Sequence, residues 1–188
     1  STLTQPTNGR WSSDDTRYLL DYLIADADVD NADVVVSVSG GLTDAQGNDF
    51  AAESNLDTGA NIATGNPTVG SINVTDANGQ PLSLINEALT GDDITVAIEF
   101  SVSMDTDISP LVTASNASSL ISPSTGGWTS STIYELGFSI EDTDEEVADL
   151  EFDVTGAQDT FGNPQVDGSF SAGVEIDNQA PTLSSGTP

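Results

Sequence analysis

Residues 94–102, Ile-Thr-Val-Ala-Ile-Glu-Phe-Ser-Val, alternate large apolar side chains with small or polar ones. The same alternation recurs at residues 134–140, Tyr-Glu-Leu-Gly-Phe-Ser-Ile, and at residues 150–154, Leu-Glu-Phe-Asp-Val. A period of two residues predicts strands with one buried and one exposed face, which is typical of antiparallel sheets. Turn-forming Gly, Pro, Asn and Asp residues separate these stretches. The sequence therefore predicts an all-β chain folded as a two-sheet sandwich.

The chain also repeats itself with a period of about 115 residues. Residues 18–40 and residues 134–156 are identical at nine of 23 positions. Three further pairs of segments match: residues 44–48 with 159–163 (both Asp-x-x-Gly-Asn), Leu56-Asp57 with Ile176-Asp177, and residues 66–69 with 180–183. A period of this length indicates tandem domains and is too long for a solenoid unit.

The repeat predicts three segments. Residues 1–66 are the C-terminal half of one repeat without its early strands, residues 67–180 are a complete repeat, and residues 181–188 are a linker or the start of a next repeat. In the first segment the inward-facing residues would form an apolar face that needs a cover: Tyr18, Leu20, Tyr22, Ile24, Val34, Val36 and Val38. We expect a neighbouring repeat of the same protein, or another copy, to complete this sandwich.

Several motifs resemble the immunoglobulin-like repeats of large bacterial surface proteins and giant adhesins. They are the early strand at residues 100–105 (Phe-Ser-Val-Ser-Met-Asp), Tyr134 at the start of a late strand, the hairpin at residues 154–163, and the linker at residues 176–182. The resemblance implies tandem immunoglobulin-like antiparallel sandwiches on a bacterial cell surface. It covers nearly the whole chain, although the first repeat has no counterpart of the early strands.

The amino-acid composition excludes several kinds of active site and binding partner. The chain has 31 Asp and Glu residues against two Arg, Arg10 and Arg17, and its net charge is −29. It contains no Lys, His or Cys, which excludes Schiff-base chemistry, thiol and histidine nucleophiles, and zinc sites built from His or Cys. A surface this acidic repels nucleic acid and anionic lipid, so neither nucleic acid binding nor membrane insertion is expected.

The sequence also offers residues for two functions other than a structural one, glycoside hydrolysis and sugar binding. Carboxylate pairs such as Asp142 with Asp144, or Asp92 with Asp93, could run glycoside hydrolysis, but the sequence has no long insertion that would build a cleft. We therefore expect no enzymatic activity. Trp11 and Trp128 could stack on a sugar, but an equivalent Trp in both repeats favours a role in the core.

The loop acids predict calcium binding, because Ca²⁺ takes about six to eight oxygen ligands in irregular loops. The candidate ligands are Asp26, Asp28, Asp30, Asp57, Asp105, Asp107, Asp142, Asp144, Asp159 and Asp177. In the immunoglobulin-like topology, two groups would face each other across the linker: Asp26, Asp28, Asp30 and Asp57 with Asp105, Asp107 and Asp159. The alternative is that these residues cap turns through their own backbone.

Adaptation to high salt is a competing explanation of the acidity, since it spreads acids over exposed strands where salt screens their repulsion. Asp21, Glu99 and Glu135 lie on such strand faces, so calcium binding and a halophilic surface can coexist.

The favoured function is a set of structural spacer repeats in an extracellular bacterial adhesin, stiffened by calcium, with any cell-surface or glycan ligand bound by other domains. One alternative is a donor-strand-assembled subunit of an extracellular filament. Another is a glycan-binding module of a secreted protein.

Overall fold

The computed structural model describes Leu3, Pro6, residues 8–121 and residues 126–183. Within this part the chain forms strands and one short 3₁₀ helix, Glu87–Leu89, which confirms the predicted all-β class. None of the described helical structure is long and apolar enough to cross a membrane. The chain divides into two compact units, unit 1 (Ser1–Gly65) and unit 2 (Asn66–Pro188).

The described part of unit 1 is a set of three antiparallel strand pairs. β1 pairs with β2, β3 with β6 and β4 with β5. The strands are β1 (Asn8–Trp11), β2 (Tyr18–Asp21), β3 (Asp30–Asn31), β4 (Val35–Val38), β5 (Glu53–Asp57) and β6 (Ile62–Ala63).

The described residues of unit 2 form three sheets. A five-stranded sheet has the order β11-β13-β9-β7, with β12 also pairing to β13; a second has the order β10-β15-β16, and a third the order β14-β17-β8. β8 and β17 are parallel. The strands are β7 (Val69–Thr75), β8 (Leu84–Asn86), β9 (Asp93–Phe100), β10 (Leu111–Ala114), β11 (Leu120–Ile121), β12 (Gly127–Trp128), β13 (Ile133–Ile140), β14 (Glu146–Val147), β15 (Glu151–Thr155), β16 (Gly168–Ser171) and β17 (Glu175–Asp177).

The core of unit 2 lies between the five-stranded sheet and the sheet of β10, β15 and β16. Every second residue of β9, β13 and β15 is buried, as their alternating sequences predict. The rings of Phe138 and Phe152 meet from the two sheets with centroids 5.4 Å apart. Ile85 and Ile176, on the neighbouring parallel strands β8 and β17, are fully buried in the same core. Unit 2 is therefore a β-sandwich with a buried core between its sheets.

The second half of unit 2 repeats the strand pairing of unit 1. β12 pairs with β13 as β1 pairs with β2, and β15 pairs with β16 as β4 pairs with β5. Trp128 stands edge-on to Tyr134 with ring centroids 5.3 Å apart, and Trp11 stands in the same way to Tyr18 at 5.2 Å. We call residues 67–118 the front half of unit 2 and residues 119–180 its back half. Unit 1 has the architecture of the back half.

Strand pairing corrects one part of the sequence alignment. The prediction that Asp57 corresponds to Asp177 is wrong, because Asp57 pairs with β4 as Ser171 pairs with β15. Asp177 instead corresponds to Ala63, since Asp177 pairs with β14 and Ala63 with β3. The last two strands of unit 1, β5 and β6, therefore match β16 and β17 of unit 2 at one offset of 114 residues, from 57 to 171 and from 63 to 177. The short match of an apolar residue followed by Asp was misleading because it ignored this longer register.

The two units differ in what lies beside the repeated strands. In unit 2 the front half supplies β9, which pairs with β13, and β10, which pairs with β15. In unit 1, among the residues that the structure describes, β2 pairs with β1 alone and β4 with β5 alone. The strand edges that hold the front half in unit 2 therefore carry no strand in the described part of unit 1.

Candidate functional site

Unit 1 presents a broad apolar surface to solvent. Tyr18 and Leu20 are 50% and 40% exposed, whereas their counterparts in unit 2, Tyr134 and Leu136, are each 5% exposed. The valines of β4 are only half-buried or exposed, although the matching strand β15 reaches complete burial. We call this surface the open face, which consists of Trp11, Tyr18, Leu20, Tyr22, Val36 and Val38.

The open face lines a groove with a volume of about 890 Å³. Its lining includes residues of β2, residues of β4 and the following residues 39–43. Phe50, itself 41% exposed, also lines the groove, as do the acidic residues Asp44 and Asp49. Exposed apolar grooves of this size are typical of surfaces that bind a ligand or another polypeptide.

The two tryptophans show why this surface is open. Trp128 is half-buried: its Nε1 donates to the carbonyl of Ile108 at 3.0 Å, and its ring lies 5.4 Å from that of Phe100. Both partners belong to the front half, so the predicted core role holds for Trp128. Trp11 is 50% exposed and lies on the open face, contrary to its predicted core role. The physical reason is that the described part of unit 1 contains no counterpart of Phe100 and Ile108.

The acidic turns use their carboxylates locally. Asp159 is 4% exposed, and its Oδ1 accepts hydrogen bonds from the backbone N–H groups of Phe161 and Asn163, both at 2.8 Å. Its Oδ2 accepts from Nδ2 of Asn163 at 2.8 Å. Gly162 has φ of +88°, a left-handed conformation that favours glycine. The Asp-x-x-Gly-Asn motif is thus a hydrogen-bonded hairpin turn.

The same turn occurs twice more. Asp44 accepts from the backbone N–H groups of Gln46 and Asn48 and from the Asn48 side chain. The Asn48 amide and these N–H groups lower the pKa of the Asp44 carboxyl. Asp76 accepts from two N–H groups in the same way, and the N–H of Gln80 lowers its pKa. Sequence analysis missed this third turn, although the spacing Asp-x-x-Gly is visible at residues 76–79.

Two matching loops hold four of the predicted calcium ligands. The N–H of Asp28 donates to Oδ1 of Asp26 at 3.4 Å, and the N–H of Asp144 donates to Oδ1 of Asp142 at 3.3 Å. Asp28 and Asp144 both adopt positive φ, 48° and 51°. The structure therefore repeats this tight Asp-x-Asp turn, which Asp tolerates better than most residues.

The other predicted ligands are distributed over both units. In unit 1, Asp30 accepts from the N–H of Gly65 at 3.1 Å and Asp57 from that of Gly59 at 2.8 Å. In unit 2, Asp105 accepts from the N–H of Asp107 at 3.1 Å and from Nε2 of Gln158 at 3.2 Å. This last contact places Asp105 beside the turn that Asp159 opens.

Asp177 faces a like charge. It lies on β17 directly opposite Glu146 of β14, and on its other side it pairs with Asn86 of β8. Opposed carboxylates on neighbouring strands repel each other. Within residues 8–121 and 126–183, however, no three acidic side chains gather in an arrangement that could hold a metal ion. Calcium binding stays a prediction.

Glu145 is a structural acid that sequence analysis did not single out. Its carboxylate accepts from the backbone N–H groups of Ser118 and Ser119, at 3.0 and 2.9 Å, and so ties the front half to the back half. Burial raises the pKa of Glu145, but these hydrogen bonds outweigh it and hold the pKa below its usual range. The first repeat has Val29 at the matching position, so a comparison of the two repeats gave no sign of a structural acid at Glu145.

Comparisons with protein-family models, curated proteins and solved structures found no match to this chain.

Proposed function

We propose that this chain is a structural segment of an extracellular bacterial adhesin, in which tandem immunoglobulin-like domains act as spacers. One observation carries the proposal: a half-sandwich of the same strand pairing occurs in both units. Tandem copies of one domain are an economical way to extend a chain, because each copy adds length without requiring a new fold. The acidic surface and the absence of Lys suit an exposed protein in a salt-rich environment.

The chemistry of the site agrees with a role that needs no catalysis. In three turns the carboxylate accepts hydrogen bonds from the backbone of its own turn, namely those of Asp44, Asp76 and Asp159. The groove of unit 1 is lined mainly by apolar and small side chains and has few charged groups. General acid–base work requires a carboxyl positioned beside a binding cleft. Of the two acids in the lining of the groove, Asp44 is held by the hydrogen bonds of its own turn, so we propose that the chain has no enzymatic activity.

Calcium is proposed as the stiffening ion. The opposed carboxylates of Glu146 and Asp177, with Asn86 on the next strand, form a place where a cation would remove a repulsion. The Asp142-x-Asp144 turn approaches the same end of unit 2, because Asp144 accepts from the N–H of Ala180 at 3.4 Å. Carboxylate and amide oxygens are the ligands that Ca²⁺ prefers.

Stretching single molecules of the full chain tests the spacer role. Unit 2 should unfold in one cooperative event, refold when the force is released, and resist a higher force in calcium than in chelator. Asp177→Asn should reduce the calcium effect, whereas Glu175→Gln on the same strand should leave it intact. Gradual extension without a force peak would contradict the spacer role, and equal forces in calcium and chelator would contradict the stiffening by calcium.

A further inference from the structure

The open face of unit 1 corresponds to the surface that the front half covers in unit 2. β9 pairs antiparallel with β13 over seven residues, and β10 pairs with β15 over four. β2 and β4 are the counterparts of β13 and β15, and among the described residues they carry neither neighbour. Unit 2 therefore shows what kind of structure fits the groove.

We propose that the open face is a docking site for a front-half β-segment, a stretch of polypeptide with the strand order and alternation of residues 67–118. The segment would be delivered by the same polypeptide from the N-terminal side of unit 1, as the front half precedes the back half in unit 2. It would add one strand to the edge of β2 and another to the edge of β4, and it would bury the open face.

The point at which the chain enters both half-sandwiches supports delivery from the N-terminal side. Leu3 bridges to Ile24 in unit 1, and Leu120 pairs with Ile140 in unit 2. An offset of 117 residues joins Leu3 to Leu120. A front-half segment on the N-terminal side of Leu3 would therefore have the order and spacing that the front half has ahead of Leu120.

A second copy of this chain is a poorer source of the segment. Its own front half contributes buried residues of β9, among them Ile94, Val96 and Ile98, to the core of unit 2. Donating these strands to unit 1 of another molecule would uncover the matching face of the donor. Such an exchange gains no buried area, since one face is covered only when another is opened.

The open face also predicts how the docked segment differs from residues 67–118. Val36 stands where unit 2 has Phe152, and Val34 stands where it has Leu150. These smaller residues leave space that a close-packed core must fill from the other side. The segment therefore carries larger apolar residues opposite β4 than the front half of unit 2 does.

The test extends the full chain by fusing a copy of residues 67–117 directly ahead of Ser1. Hydrogen exchange of the β2 amides, Tyr18–Asp21, reports whether a strand has docked. In a chain that sediments as a monomer, the extension should slow their exchange on the order of a hundredfold. The matched control carries Ser in place of Ile94, Val96, Ile98 and Phe100 in the added copy alone, which leaves unit 2 unchanged, and it should give no protection.

A second form of the extended chain allows for the difference in size. Val36→Phe restores the residue of unit 2 and should increase the protection given by the added copy. Failure of both extended forms to protect β2, or equal protection by the Ser control, would overturn the proposal. In the unextended chain, protection of β2 that rises with protein concentration would identify a second copy as the occupant. Full protection in the unextended monomer would show that nothing needs to dock.

The apolar residues of the open face need to be buried whether or not the tandem domains act as spacers. The extension experiment can therefore fail while the stretching experiment succeeds, and the reverse also holds.

Discussion

Gly126 in unit 2 and the equivalent Gly9 in unit 1 should differ in how strongly a substitution by Ala destabilises the protein. A Cβ at Gly126 would lie 2.5 Å from the hydroxyl oxygen of Tyr134, which is 5% exposed and held in the core. Gly126→Ala should therefore destabilise the protein by about 1–3 kcal/mol. Gly9 approaches the hydroxyl of Tyr18 in the same manner, but Tyr18 is half exposed and can move. Gly9→Ala should cost less than about 0.5 kcal/mol.

Urea unfolding of both variants measures this difference. Equal losses would contradict the assignment of Tyr18 to an open face. In the chain extended by residues 67–117, Gly9→Ala should become as costly as Gly126→Ala, because docking would fix Tyr18 in place.

Glu145 gives unit 2 a dependence on pH. Its pKa is lower in the folded protein than in the unfolded chain, so it stabilises the fold above the unfolded pKa, about 4.3. That stabilisation is lost as the pH falls through the folded pKa. Glu145→Gln should therefore cost about 1 kcal/mol at pH 7, where the charge-assisted bonds to Ser118 and Ser119 are lost.

The measurement is urea unfolding of the protein and its Glu145→Gln variant between pH 7 and pH 3. The difference between them should shrink as the pH falls. Glu146→Gln, one residue further along and exposed, serves as the control and should not remove this stabilisation. A difference that stays constant down to pH 3 would show that Glu145 acts through its shape and not its charge.

At the level of strands and turns, the alternating stretches of unit 2 were predictable, because one face of each strand is buried and a period of two records it. β13 and β15 lie within one residue of the predicted stretches 134–140 and 150–154, whereas β9 begins within one residue of its predicted start but ends at Phe100, two residues before the end of the stretch 94–102. In unit 1 the same alternation predicts inward residues up to Ile24, but β2 ends at Asp21. A sequence pattern predicts which face of a strand is apolar. It does not predict whether another part of the structure packs on that face.

Turn residues were harder to assign, because Asp suits both a turn and a cation. Asp159 separates the two roles. Asp159→Ala would leave the N–H groups of Phe161 and Asn163 without their acceptor at a buried site, so it should cost about 1–3 kcal/mol. Asp44→Ala removes the same bonds at an exposed turn and should cost less.

Thermal unfolding of both variants, in calcium and in chelator, checks this assignment. If Asp159 serves the turn, the loss should be the same in both solutions. If Asp159→Ala instead abolishes stabilisation by calcium, the residue is a ligand.

For the whole molecule, the two units should differ in stability. Fully burying a large apolar side chain contributes about 1.5–3 kcal/mol, and unit 1 leaves several of its largest side chains about half exposed. The net stability of a domain is only about 5–15 kcal/mol, so the burial free energy that unit 1 lacks is a large part of what a domain needs to stay folded. Unit 1 should unfold at a lower urea concentration than unit 2.

Each unit contains one Trp, which makes the two transitions separable. Fluorescence of a Trp128→Phe variant follows Trp11 in unit 1, and that of a Trp11→Phe variant follows Trp128 in unit 2. Coincident transitions would show that unit 1 is as well covered as unit 2. In the extended chain the Trp11 transition should move toward that of Trp128.

A net charge of −29 raises the final question for the whole molecule, which is whether its repulsion is relieved by bound ions or by general screening. Specific calcium sites should stabilise the protein by RT ln(1 + [L]/Kd), about 2.7 kcal/mol at a hundredfold excess over Kd. The melting temperature should therefore fall in chelator and recover with calcium, but not with NaCl at matched ionic strength. Equal recovery with NaCl would favour a halophilic surface. Asp28→Ala and Asp144→Ala should each reduce the calcium increment, whereas Asp21→Ala should leave it unchanged, because Asp21 pairs with Arg10 at 2.7 Å on an exposed strand.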